Sequence, residues 1–384
     1  MVAQTSPFSF GRTVAGHYFT DREKETTHLL ANFNNNINTV LISPRRWGKT
    51  SLVKRAGDQI NLQDNLIVYI DAFPLKTEEE FYNTFTSAII KATSSKWEEW
   101  IKYARQFLSH LSPKISFGTD PVNEFEISFT LEDISKNYRD ILNLPEQYAL
   151  KHHKHMIICI DEFQAISAFN NPLQFQKCLR SVWQHQQHVC YCLYGSKQHM
   201  MQQLFDRQSA PFYRFGDVIY LQKIAMPDWI PFITERFAST GKIIHRIQAE
   251  RIVQSVSCHP YYIQQLCHQV WVMTIGEVND EVILLALNEI LEQNALLYQR
   301  DTEELSGYQL NFLKAIANGL KSRFTTKENL KKFDLGTSAN VSRIKETLVK
   351  KELIDLAPGQ VNFLDSVYEL WFKKEILNQK LISD

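Results

Sequence analysis

NTVLISPRRWGKTSL, residues 38–52, joins a short apolar, β-branched run to a loop that ends Gly-Lys-Thr. The run reads as a buried strand, and the residues after the loop read as a helix. A phosphate-binding loop is written G-x-x-x-x-G-K-[ST] between a strand and a helix. Here the opening position is Ser43, so the stretch is such a loop with its first glycine replaced.

The chemistry of each position follows from the charge of a nucleoside triphosphate, which needs backbone N–H groups at a helix N-terminus. Gly48 lets the backbone approach a phosphate without a Cβ clash. Lys49 reaches the β- and γ-phosphates as a mobile charge, and Thr50 offers its hydroxyl to Mg²⁺. Ser43 must turn out of the strand with a Cβ, helped by Pro44. The candidate nucleotide-binding set is Ser43, Pro44, Arg45, Arg46, Trp47, Gly48, Lys49, Thr50 and Ser51.

A second stretch, MIICIDEFQ, is an apolar strand ending in Asp161-Glu162. An acidic pair at the carboxyl end of a buried parallel strand faces the crevice where ligands bind. Asp161 can hold Mg²⁺ through water, and Glu162 can take a proton from an attacking water. The plainer reading is a strand-end pair capping the next helix; an upstream phosphate loop in the same sheet argues against it. In CLYGSKQHM, Ser196 is either a contact to the γ-phosphate or lytic water, or a turn serine. In SAPFYRFG, Arg214 is either an arginine finger toward a neighbouring subunit's nucleotide, or a surface arginine or salt-bridge partner. In SCHPYYIQQL, His259-Pro260 either lies over the nucleotide or starts a helix with proline near its first position.

The surrounding chain sets the architecture. FTDRE opens a helix, with Thr20 and Glu23 at capping-box spacing. NLIVYIDAF, HMIICIDEF, VCYCLYGS and GDVIYLQKI are further strands alternating with helices, which predicts a parallel sheet of about five core strands. Residues 1–225 are expected to form this core, with 97–150 an insertion whose KISFGTDPVNEFEISFT suggests a β-hairpin. Residues 226–300 read as an α-helical lid. Polar RDTEELSG reads as a linker. Residues 305–384 give three helices, then LIDLAPGQVNFL as an extended pair around a Pro-Gly turn, a winged helix-turn-helix pattern.

With 384 residues, 44% apolar and 22% charged, the chain is of ordinary soluble composition. Its net charge of zero excludes a wholly basic nucleic-acid binder. No apolar run spans a bilayer and the N-terminus is no signal peptide, so the expected location is cytoplasmic, with no membrane partner. None of the six cysteines forms a C-x-x-C pair, and they read as buried thiols. KHHKH (Lys151–His155) reads as a solvated loop rather than a metal site.

The order of FTDRE, SPRRWGKTSL, IICIDEFQ, YGS, PFYRFG and CHPYYIQQL, followed by a winged helix, resembles the archaeal-type ATPases of the STAND class within the AAA+-like P-loop NTPases. The resemblance covers about residues 8–375. It implies an additional-strand, catalytic-Glu sheet, a helical lid and a winged helix, working as an ATP-driven switch with ATP or ADP and Mg²⁺. It further implies that FTDRE lies near the adenine and that His259-Pro260 matches a lid motif whose proline packs on the nucleotide. Glu162, Lys49, Ser196 and Arg214 are then the catalytic candidates, with Thr50 and Asp161 toward Mg²⁺. The absent first glycine bears on hydrolysis rate more than on binding.

Residues 305–376 hold twelve Lys and Arg against eight Asp and Glu, a net charge of +4. Arg343, Lys345, Lys350 and Lys351 fall on or beside the expected recognition helix, with Ser338, Asn340 and Ser342 near its start. DNA contact and packing as a lid or self-association element both fit. Three functions stay open: an ATPase switch controlling a partner, a nucleotide-gated DNA-binding protein, and an interaction protein that holds ADP with little turnover.

Overall fold

The run Thr39–Ile42 is strand β1, and its Val40, Leu41 and Ile42 are wholly buried. In the computed structural model, which describes residues 5–13, 16, 19–94, 96–108, 113–117, 125–357 and 359–379, the chain divides into two compact units. One is Arg22–Gln222; the other joins the segment before Arg22 to everything from Lys223 onward.

The first unit runs α1 (Glu23–Asn34), β1, α2 (Lys49–Gly57), β2 (Asn65–Asp71), α3 (Glu78–Thr93), α4 (Trp97–Leu108), β3 (Lys114–Phe117), β4 (Phe125–Ser128), α5 (Leu131–His152) and β5 (His155–Asp161). A short 3-10 helix (Phe163–Ala168) follows, then α6 (Pro172–Trp183), β6 (Val189–Gly195), α7 (Gln198–Phe205) and β7 (Asp217–Tyr220). The strands form one five-stranded parallel sheet in the order β2-β5-β6-β1-β7. Central strands covered on both faces need no polar alternation; Met156 to Ile160 are accordingly all fully buried. Edge strand β2 does alternate, with Tyr69 and Asp71 exposed. Aromatic stacking closes one side of the core: Trp183 lies 4.0 Å from Tyr191, nearly parallel, beside Phe212 and Phe215. The insertion contributes β3 and β4 as an antiparallel pair, and Ser87 of α3 accepts the Ile127 N–H. Residues 118–124, the expected turn of that hairpin, lie outside the described residues.

The second unit holds α8 (Met226–Ala238), α9 (Arg246–Ser255), α10 (Pro260–Met273), α11 (Asp280–Glu303), α12 (Gly307–Ala317), α13 (Lys327–Lys332) and α14 (Ser338–Lys350), then the antiparallel pair β8 (Ile354–Ala357) and β9 (Gln360–Phe363), and α15 (Ser366–Glu375). One continuous hydrophobic core runs from Ile224 to Phe372 and includes Phe8 of the N-terminal segment. Phe8 packs 5.3 Å from Phe237, and the Ser9 N–H donates to Gln264 Oε1.

Three expectations change. The helix at FTDRE starts later than the capping box required: its N-cap is Arg22, in the left-handed region at φ 73° with no side-chain cap. Arg22 is buried; its guanidinium pairs with Glu25 at 2.9 Å and points a second N–H at the Trp47 carbonyl, so local packing overrides the box. Of the polar stretch 300–307 expected as a linker, residues 300–303 belong to α11 and 307 opens α12, which leaves 304–306 as the connection. α11 continues through Glu303 because Tyr298 and Thr302, one turn apart, face the core, and the Thr302 and Tyr368 hydroxyls share a hydrogen bond. Lys151 and His152 belong to the last turn of α5 rather than to a loop. α15 was not expected; Asp365 caps it, accepting the Val367 and Tyr368 N–H groups. Pro358 of the expected Pro-Gly turn lies outside the described residues. All six cysteines are free thiols. Among the described residues no helix is long and apolar enough to cross a membrane.

Candidate nucleotide site

β1 delivers the loop Ser43–Gly48 to the N-terminus of α2 at the carboxyl edge of the sheet. Left-handed backbone occurs at Arg46, φ 64°, and at Gly48, φ 91°, and not at Ser43. The turn that seemed to need glycine is therefore made elsewhere. Ser43 is fully buried; its N–H donates to the Gly195 carbonyl and its hydroxyl to the Pro44 carbonyl at 3.0 Å. Arg46 carries the strain of that conformation, on the order of 1–3 kcal/mol for a residue with a Cβ. A Cβ at Gly48 would meet nothing within 4 Å, so its glycine answers to φ and to the approach of a ligand.

Lys49 and Thr50 begin α2 and face the end of β5. Lys49 is buried, with Nζ 3.1 Å from Glu162 Oε1. The Thr50 hydroxyl donates to Asp161 Oδ2 at 2.6 Å. The neighbouring strand β6 ends at Gly195, and the Ser196 hydroxyl and N–H donate to Glu162 Oε2 at 2.8 and 3.3 Å. Arg45, on the loop, points its Nε at the Ser196 hydroxyl, 3.4 Å away. Glu162 sits in left-handed backbone, φ 49°, which bends the chain out of β5 and returns Gln164 beneath it to donate to Oε2. Gly195 has no Cβ to obstruct this: one would come within 1.8 Å of Gln164 Oε1.

The two carboxylates differ electrostatically. Burial raises the pKa of Asp161, outweighing the Lys49 charge and the Thr50 hydrogen bond. Burial also works to raise Glu162, but the Lys49 charge and donors from Gln164 and Ser196 outweigh it and hold its pKa below the ordinary value. A hydroxyl and a carboxylate oxygen side by side are hard oxygen donors of the kind Mg²⁺ takes. A cation there would offset the desolvation of Asp161.

Arg45, Arg46, Lys49, Asp71, Phe73, Asp161 and Glu162 line a cleft of about 330 Å³. Asp71 and Phe73 were missed in the sequence. Their signal was present: IDAF ends β2 as IDEF ends β5, and Asp71 stands in register with Asp161. Phe73 is an exposed aromatic at the rim.

The structure thus gathers Arg45, Arg46, Lys49, Thr50, Asp161, Glu162 and Ser196, with Ser43, Pro44, Trp47 and Gly48 shaping the loop and Ser51 buried on α2. It does not gather Arg214. That residue precedes β7, whose first residue pairs with Thr39 at the start of β1, so it lies at the opposite edge of the sheet, roughly 13 Å of strand away. It is exposed, with its guanidinium 5.3 Å from the Tyr213 ring. His259 and Pro260 belong to the second unit, where His259 holds the N-cap position of α10 with no side-chain cap, Pro260 opens the helix, and the His259 ring packs 4.7 Å from Tyr262. In the winged-helix region Arg343 and Lys350 are exposed along α14. Lys345 lies over the Phe324 ring at 4.9 Å, Lys351 pairs with Glu304 at 3.1 Å, and Asn340 donates to the Leu335 carbonyl.

A family model described as an ATPase domain predominantly from Archaea matches residues 19–266, and one for a probable winged helix domain matches residues 296–374. No curated protein matches the chain. Among solved structures, a Walker-type ATPase of Pyrococcus abyssi superposes with a TM-score of 0.66 at 17% identity, covering 96% of this chain and 99% of that one. The ORC2 protein of Aeropyrum pernix, in ADPNP and ADP complexes, gives 0.56 at 13% identity, covering 96% and 99%. At these identities the likeness is one of fold.

Proposed function

This chain belongs to the family of ATPase domains found predominantly in Archaea, and on that premise we propose that it binds ATP and hydrolyses it as a molecular switch. The observation that carries this is the Lys49–Glu162 and Thr50–Asp161 pairing at the mouth of the loop. The phosphates would sit on the N–H groups of Gly48, Lys49 and Thr50, where the helix dipole favours negative charge. Lys49 would exchange its contact with Glu162 for the β- and γ-phosphates. Glu162, so released, would accept a proton from the water that attacks the γ-phosphorus. The bond to the β,γ-bridging oxygen breaks, and ADP leaves with the electron pair. Thr50 and Asp161 would hold Mg²⁺, which supplies charge neutralisation on the phosphates when bound. Arg214 is remote from its own chain's loop, so its proposed role is toward the nucleotide of a neighbouring copy.

The lid helices and the winged helix share one core, which supports their responding to nucleotide as a single body that controls a partner. A role confined to holding ADP drew on Ser43. With Ser43 outside the left-handed region, loop strain no longer argues against turnover.

The test is direct. Purified protein is denatured and the released nucleotide identified, and phosphate release from ATP is then followed with and without Mg²⁺. Absence of both bound nucleotide and Mg²⁺-dependent turnover would refute the reading.

A second reading, contact with duplex DNA through α14, is favoured by Ser338, Ser342, Arg343 and Lys350 being exposed along that helix. It expects binding that weakens steeply with salt; no binding at ~50 mM salt counts against it.

A further inference from the structure

Gln164 takes no part in the hydrolysis scheme above, yet it is only 3% exposed and bonded to the proposed base. Three donors converge on one oxygen of Glu162: the Ser196 N–H, the Ser196 hydroxyl and the Gln164 amide all address Oε2. The other oxygen, Oε1, faces Lys49. The two oxygens therefore part company when phosphate draws Lys49 away. Oε1 is uncovered, while Oε2 stays held. The Gln164 carbonyl oxygen is buried with no hydrogen-bond partner among the described residues. It occupies the space a Cβ at Gly195 would need. A buried acceptor left unpaired is unfavourable, so an apolar residue of similar length would fit this position better on stability grounds alone. What the amide adds is its donor to Glu162.

We infer that Gln164 is a positioning residue for hydrolysis: with Ser196 it clamps Oε2 of Glu162, so that Oε1 is the oxygen that takes the water proton once Lys49 has moved to the phosphates. This rests on the reading of Glu162 as the base. Rotation about the last torsion of a glutamate is broad and weakly restrained. Without the clamp the carboxylate swings, and the proton-accepting oxygen leaves the line of attack.

The experiment measures steady-state ATP hydrolysis with Mg²⁺, and ADP affinity by calorimetry, on the full chain and on Gln164→Met, Gly195→Ala and Glu162→Gln. Gln164→Met keeps length and removes the donor. Gly195→Ala removes no polar group but drives a methyl into the amide and against Met201 Sδ, 2.9 Å away; both are outer atoms of flexible side chains, so the amide shifts, and a thermal melt checks that the variant is folded. Both should lower kcat roughly 10- to 100-fold while KM and ADP affinity stay within about twofold. Wild-type kcat in either folded variant overturns the inference. So does a parallel loss of ADP affinity, which would mark a disturbed loop rather than a misplaced base. Turnover that survives Glu162→Gln sinks the reading of Glu162 as the base itself, whatever Gln164 does.

Discussion

Lys49 Nζ stands 3.1 Å from Glu162 Oε1, so the cation proposed for phosphate and the carboxylate proposed as base neutralise each other. In the proposed scheme each side chain keeps the other from its task. A polyanion that outcompetes the carboxylate for Lys49 would free both groups at once.

Lys49→Ala removes a charged donor to the phosphates, an interaction worth about 1.5–3 kcal/mol. ADP affinity measured by calorimetry should fall roughly 10- to 100-fold. An unchanged Kd would show that the nucleotide is held elsewhere.

Glu162→Gln keeps the shape and loses the proposed base. ATP should still bind, and kcat should drop on the order of 100-fold or more. Retention of unhydrolysed ATP through gel filtration checks this, and rapid conversion to ADP contradicts it.

Ser43→Gly tests the loop's odd residue. Because Ser43 is outside the left-handed region, glycine relieves no strain. It adds chain entropy to the unfolded state, about 0.5–1 kcal/mol, and deletes the hydroxyl contact to Pro44. The melting temperature should fall by a few degrees with kcat nearly unchanged. A clear rise in kcat would mean that serine does restrain the loop.

Asp365→Ala should destabilise the second unit by about 2–3 kcal/mol. The carboxylate caps α15 and also accepts from the Tyr262 hydroxyl at 2.5 Å and the Tyr298 hydroxyl at 3.3 Å, so its loss removes an acceptor from both hydroxyls, which stand 3.2 Å from each other. Denaturant unfolding followed with a probe in that unit measures the loss, and a change under 0.5 kcal/mol would be too small for this account.

Lys223 should give stability a pH dependence. Burial lowers its pKa from the ordinary lysine value, against the opposing influence of Cys258, Glu369 and Asp355. A folded pKa below the unfolded one penalises the charged form on folding. The penalty is complete below the folded pKa and fades as pH climbs toward the unfolded value of about 10.4. Melts of wild type and Lys223→Met from pH 7 to 10 should show wild type gaining on the variant as pH rises. A constant gap across that window disagrees.

Much of this was legible in the residues because the relevant physics is local. The apolar runs at Val40–Ile42 and Met156–Ile160 could only be strands buried on both faces, and strand-helix alternation then forces a parallel sheet. Gly48-Lys49-Thr50 after one such strand and Asp161-Glu162 at the end of another place two halves of one candidate site at one sheet edge from sequence order alone. Local rules failed where packing competed with them. The capping box at Thr20 lost to a buried Arg22, and polar 300–303 stayed helical because Thr302 faces Tyr368.

The tertiary structure alone decided which groups meet. Sequence spacing does not say that Gln164 turns back beneath Glu162, that Gly195 leaves it room, or that Asp71 stands beside Asp161. Nor does it say that Arg214 falls at the far edge of the sheet, since that depends on the register of β7 against β1. It could not show that the loop's left-handed turns lie at Arg46 and Gly48, which frees Ser43 from the work of a glycine. Residue type and period fix what each segment can be. Contacts between segments distant in sequence arise only when the strands are laid side by side.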